Sequence, residues 1–281
     1  MAAQRFRPFG VTDEEYTDLL VLQDGTPPPL RDALMAALYE AVTYVVGPYR
    51  FLNLDMAREI RALAGIELGD TPTGHISGED VLRRMRQLTP MLMLRFADVV
   101  AYLYSGTATP VELRRIFEIN NSKYTVAPDA EGHERLVERL PEGELHALLA
   151  TFADAGPGLL LHRAFTAAYG ISPNPGEAYK MSVKAVETAL HQTIEPKNTG
   201  ATLGTMLAVM RNAKMPWTLP LDERADHAGR NAETLIGFIQ ALWDGQEDRH
   251  RNGEVDLREA RAAFHGAAAI VAWANEGLIA K

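Results

Sequence analysis

The chain contains no cysteine. Disulfides, thiolate metal sites and cysteine nucleophiles are therefore excluded, and the absence fits a reducing compartment. Long apolar runs are also missing. The longest near the C-terminus, AAFHGAAAIVAWANEGLIA, is interrupted by His265, Asn275 and Glu276 and reads as a buried helix, not a membrane span. The opening MAAQRFRPFG has no apolar h-region, so no secretory signal is expected and a cytoplasmic location is. Positive charge is in deficit: 28 Lys and Arg against 37 Asp and Glu leave a formal charge of −9. An acidic protein repels a long polyphosphate at range, so extended DNA binding is not expected. Walker A, HExxH and GxSxG motifs are absent, and the eight histidines are scattered without ligand spacing, so no metal or cofactor is expected.

What is present is a chain of 281 residues, 47% hydrophobic and 23% charged, enough for one large domain or two smaller ones. Its pattern is helical almost throughout. Thr12 and Glu15 form a capping box in TDEEYTDLLVL. After PPPL, the period predicts a helix over about 30–46 with Leu34, Leu38, Val42 and Val45 inward. Gly65 ends a short helix in NLDMAREIRALAG, and Ser77 is the expected N-cap of SGEDVLRRMRQL. The basic cluster RRMR within that segment reads as a solvated helix face. PMLMLRFADVVAYLYSG is apolar on nearly all sides and is expected to be the central helix of its half. Thr109, Pro110 and Glu112 occupy the expected N-cap, N1 and N3 positions of the next helix.

NNSKYTVAPDAEGHERLVERLPEG breaks this rhythm and suits a short hairpin near 122–127. Boundaries near 140 and 172 both fit, with GISPNPGE the better linker. The expected fold class is all-α, in two helical blocks, 1–171 and 172–281. The second block reads as helices at about 175–194, 200–212, 229–247 and 256–279, the last opened by Asp256 as N-cap and Glu259 at N3.

Three stretches of the second block could carry chemistry. In GEAYKMSVKAVETALHQTI, Val183, Val186 and Leu190 form an apolar stripe, and Lys180, Lys184, Glu187 and His191 a polar one. The polar stripe is either a solvated, ion-paired face or, if covered, a compact anion site. TGATLG leads into a helix and offers amides to an anion, or serves only as a cap at Thr199 or Thr202. GQEDRHRNG, residues 245–253, follows a helix that Gly245 is expected to end or loosen. That places Arg249 and His250 in the connection to the last helix. An arginine fork binds phosphate, and a histidine with a free pKa of about 6.5 moves protons near neutrality. Cleavage of RNA through its 2′-hydroxyl needs such a base and such a cation.

Four pieces in order, SVKAVETAL, KNTGATLGTML, LWDGQEDRHRNG and LREARAAFHGAAAIVAWANEGL, resemble the C-terminal domain of abortive-infection (AbiJ-like) proteins of the HEPN superfamily. The resemblance covers about residues 172–281 and implies a HEPN-like helical bundle, a homodimer, and RNA as a metal-independent ribonuclease substrate or ligand. The residues themselves suggest Arg249 and His250 as the catalytic pair, with Lys180, Lys184, Glu187, Asp248 and Asn252 around the substrate. The usual HEPN motif is an arginine, four to six residues, then a histidine, whereas Arg249 and His250 are adjacent. Arg139–His146 and Arg258–His265 match formally, but chance supplies such pairs; Pro141 interrupts the first, and His265 among AAF and GAAA reads as a core histidine. The competing expectation is a non-catalytic interaction or dimerisation module, of phage or prophage origin in its weakest form. The first half resembles nothing recognisable.

Overall fold

A computed structural model describes residues 22–69, 75–140, 148, 151–152, 156–213, 217–220, 230–251 and 255–280, with the side chains of 230 and 246–251 left aside. The capping box at Thr12 and Glu15 lies outside these residues. The chain divides into two compact units, Met1–Arg139 and Leu140–Lys281. The division coincides with the first of the two boundaries offered by the sequence. Residues 157–169, assigned by the other boundary to the first block, lie in the second unit.

The first unit runs α1 (Pro28–Val42), β1 (Thr43–Val46), β2 (Tyr49–Leu52), α2 (Leu54–Ala64), α3 (Gly78–Arg86), α4 (Pro90–Leu103), α5 (Thr109–Ile119), β3 (Tyr124–Pro128) and β4 (Glu134–Glu138). Local chemistry explains most of its helix ends. The Asn53 side chain accepts from Met56 N, and Gly65 adopts a left-handed φ of 68° that closes α2. Ser77 accepts from Asp80 N, as expected. The RRMR arginines of α3 are exposed, and Arg83 pairs with Asp80. Thr109 is not the N-cap expected of it. It is the first helical residue of α5, and its amide donates to the Thr107 hydroxyl at 3.2 Å.

The all-helical expectation needs correcting in one place. Helix α1 stops at Val42, and Thr43–Val46 is a strand, so Val45 is 59% exposed instead of inward. The run TYVV is β-branched and aromatic, and it is followed by Gly47 at φ 59° and Pro48, a two-residue hairpin loop. The hairpin expected near 122–127 exists as β3, paired antiparallel with β4, which supplies ERLVE as partner. The chain is thus mainly α with two small antiparallel pairs.

Helix α4 is the centre of this unit, in contact with α1, α2, α5 and β4 and burying Met93, Leu94, Phe96 and Val100. It also buries a charge. Asp98 accepts from Arg135 Nε at 3.1 Å, Arg135 Nη2 at 2.8 Å and Leu136 N at 2.7 Å, pinning β4 to the helix. A carboxylate with this many donors is tolerated in a core because its lone pairs are satisfied. The same hydrogen bonds hold the Arg135 pKa above its ordinary value.

The second unit contains α6 (Pro157–Tyr169), α7 (Pro175–Ile194), α8 (Leu203–Arg211), α9 (Arg230–Arg251) and α10 (Leu257–Asn275). Helix α7 lies in the middle, against α6, α8, α9 and α10. Its expected stripe of Val183, Val186 and Leu190 is fully buried. Helix α10 packs against it and buries the small residues Ala260, Ala263 and Ala267, while its Gly266 faces Phe238 and Leu242 of α9. Asp256 caps α10 by accepting from Glu259 N, as the sequence predicts.

Candidate functional site

The polar stripe of α7 is divided between its own protein and solvent. Glu187 accepts from the amide of Leu203 at 2.9 Å, and Thr202 accepts from Thr205 N within a capping box. The donors of TGATLG that could have held an external anion are therefore used by an internal carboxylate and a cap. His191 Nε2 lies 2.8 Å from the carbonyl of Asn198, joining α7 to the turn before α8. Lys180 pairs with Glu177 at 3.7 Å, one turn earlier on α7. Lys184 is exposed. The stripe thus carries structural bonds at Glu187 and His191 and exposed cations at Lys180 and Lys184. Gly204 adds a packing role, because a Cβ there would meet the Trp243 ring at 2.9 Å.

The expected interruption at Gly245 does not occur. Helix α9 continues through it to Arg251, so the backbone of Asp248, Arg249 and His250 is helical instead of an elbow. Their side chains lie outside the described part of the structure, as does Asn252. Glycine is needed at 245 because of a neighbour. The Tyr179 hydroxyl donates to the Leu242 carbonyl at 2.9 Å and fills the space where a Cβ of residue 245 would stand. Gly245 is a notch in a helix face, not a terminator.

A second constellation forms where α6 meets α10. Tyr169 Oη and His265 Nε2 are 2.6 Å apart, and the Arg261 guanidinium stands 4.4 Å over the Tyr169 ring. Arg261 Nε also donates to the Ala168 carbonyl at 3.2 Å. Helical spacing sets Arg258, Arg261 and His265 on one face of α10, with Arg258 exposed at its outer end. His265 is half-buried, not sealed in the core as its neighbours in sequence suggest. Phe165 and Phe264 back the group, with Phe264 at 5.2 Å from the His265 ring and Phe165 at 5.2 Å from Tyr169.

The hydrogen bond to Tyr169 fixes the His265 ring at Nε2 and is compatible with either tautomer. With Nε2 protonated, the imidazole donates to the phenol oxygen and Nδ1 is its basic nitrogen. With Nδ1 protonated, the phenol donates to Nε2 and the ring presents a donor instead. Either way the ring orientation is held by a residue 96 positions away in sequence. The sequence offered only the formal spacing of Arg258 and His265; nothing in it pointed to Tyr169. No group of three or more His, Asp or Glu residues that could hold a metal ion occurs among the described residues. No described helix is long and apolar enough to cross a membrane.

No protein-family model, curated protein or solved structure matches this chain. The C-terminal resemblance therefore rests on the quoted residues alone.

Proposed function

We propose that the C-terminal unit is a HEPN-like module that binds or cleaves RNA in phage defence of the abortive-infection type. The acting face is Arg258, Arg261 and His265 of α10 with Tyr169 of α6, in place of Arg249 and His250. The observation that supports this choice is the Tyr169–His265 bond beneath the Arg261 guanidinium. It holds a base and a cation on one helix face. The exposed Arg258 of the same face precedes His265 with six residues between them, the arginine–histidine spacing the resemblance implies. In the metal-independent route, Nδ1 of His265 takes the proton of the 2′-hydroxyl as that oxygen bonds to phosphorus. The bond from phosphorus to the 5′-oxygen breaks, and the 5′-oxygen leaves with a proton from solvent, giving a 2′,3′-cyclic phosphate. The arginines stabilise the charge that builds on phosphorus. The exposed Lys180 and Lys184 contribute at most long-range attraction for the backbone, which salt screens.

The test uses the full chain and a labelled single-stranded RNA at low salt. Arg258→Ala changes an exposed residue, so the melting temperature stays constant while binding or cleavage falls by about tenfold or more. His265→Gln keeps a polar group facing Tyr169, and is expected to abolish cleavage while RNA still binds. Glu187→Gln lowers stability through the α8 cap and leaves RNA handling unchanged. Wild-type protein that neither binds nor cuts RNA overturns the reading.

A second reading, a non-catalytic helical interaction module, has its own support in the α7 stripe, where Glu187 and His191 serve architecture. It predicts that Arg258→Ala changes nothing in the RNA assay.

A further inference from the structure

The β1–β2 hairpin presents an edge and a face that the other described residues of its unit leave unpaired and exposed. Tyr44 is 41% exposed, Val46 55% and Tyr49 66%, and all three share one face with Phe51. Tyr44 and Tyr49 lie 6.1 and 6.3 Å from the Phe51 ring, so the face is a continuous aromatic strip. On the edges, antiparallel alternation decides which backbone groups point outward. Leu52 N donates sideways to Ile76 O at 2.9 Å, so residue 52 is outward-facing on the β2 edge. Its partner Thr43 and the next alternate residue, Val45, are then outward-facing on the β1 edge. Among the described residues no strand pairs with that edge.

Proteins normally protect such an edge with a charge, a proline or a covering element. Among the described residues none is in place. From Ala41 to Tyr49 there is no charged side chain, and the flanking Glu40 and Arg50 neutralise each other at 2.6 Å. The hairpin is held rigidly all the same: Arg50 also donates to Thr43 Oγ1 at 3.0 Å, and Thr43 Oγ1 donates to the Tyr39 carbonyl at 2.6 Å.

We infer that the β1 edge pairs with β1 of a second copy of this chain about a two-fold axis at Val45, joining two hairpins into one four-stranded antiparallel sheet. The occupant follows from charge and register. Each copy carries −9 overall, so two copies repel except through a charge-free surface, and this strand is one. A charged peptide would find no counter-charge on it. An axis at Val45 places the outward amide and carbonyl of one Val45 against those of the other, exchanging two hydrogen bonds. It also sets Tyr44 opposite the partner copy's Val46, an aromatic–β-branched pair of the kind that stabilises sheets. The ladder is short, well below the roughly 800 Å² per partner of a standard interface, so association depends on concentration. The inference concerns the first unit and stands apart from the RNA reading of the second.

Sedimentation equilibrium of the full chain over a wide concentration range tests it. Wild-type protein is expected to pass from monomer towards dimer as concentration rises. Val45→Lys and Val45→Glu each place like charges face to face at the axis and are expected to weaken the dimer by about tenfold or more. Mixed in equal amounts, the two variants are expected to associate again, which a folding defect would not produce. Val45→Pro removes only an outward amide, so it is expected to keep the melting temperature and lose the dimer. A wild type that stays monomeric throughout, or a dimer indifferent to all three substitutions, overturns the inference. So does failure of the mixed charged pair to recover.

Discussion

The hydroxyl of Tyr179 and the carbonyl of Leu242 are 2.9 Å apart, and that bond exists only because residue 245, less than one turn along the same helix, has no side chain. Tyr179 is buried on α7, so its hydroxyl needs a partner, and the α9 backbone supplies one.

Gly245→Ala makes this dependence measurable. In an exposed helix interior the change stabilises by about 1 kcal/mol, because alanine is the better helix former. Here the new Cβ strikes the Tyr179 hydroxyl, and a loss of about 1–3 kcal/mol is expected from overpacking and the displaced bond. Urea unfolding of Gly245→Ala, and of Gly245→Ala with Tyr179→Phe, separates the two effects. A stabilised single variant would show that the notch has no such role.

Asp98 and Arg135 support a second prediction. Arg135→Ala leaves the carboxylate of Asp98 buried with one remaining donor, the amide of Leu136. A loss of about 3 kcal/mol is expected, the usual penalty for stranding one partner of a buried pair. Asp98→Asn should cost less, because Arg135 reaches solvent at one end of its side chain and keeps part of its hydration. Equal losses for the two variants in denaturant unfolding would contradict this asymmetry.

A third prediction concerns pH. Burial, and then the Asp24 carboxylate bonded to it at 3.0 Å, push the Tyr124 phenol up to about 12 from 10.0. A raised phenol pKa means the folded state holds the proton more tightly. Its stabilisation is complete below pH 10 and is lost as pH rises towards 12. Asp24 moves the other way: the Gly25 amide first, and then Tyr124, lower its pKa below 3.8. That contribution is present above the ordinary carboxylate value and disappears as pH falls through the folded one. The stability difference between wild type and Tyr124→Phe should therefore be constant from pH 6 to 9 and shrink above about pH 10. Urea unfolding at pH 8 and pH 11 gives both points, and an equal difference at the two would exclude the linkage.

How much of this was legible in the chain follows from the range over which each determinant acts. Ser77, Asp256 and Gly65 announce helix ends because a cap involves a residue and its neighbours three or four positions away. Val183, Val186 and Leu190 announce a buried face because helical period is a local property. The run ending in Val42–Val46 was ambiguous for the same reason. Its apolar spacing suits a helix, and only pairing with Tyr49–Leu52 across Gly47 and Pro48 turned its last four residues into a strand. The meaning of Gly245 depended on Tyr179, 66 residues away, and that of His265 on Tyr169, 96 residues away.

The caps at Asn53, Ser77 and Asp256 and the core face of Val183, Val186 and Leu190 were thus determined by the amino-acid sequence alone, through interactions closed within one or two turns. Which polar side chains meet, which are consumed by architecture and which edge stays open was decided by the tertiary structure. Those outcomes depend on how helices cross and strands pair, and no short-range pattern carries that information.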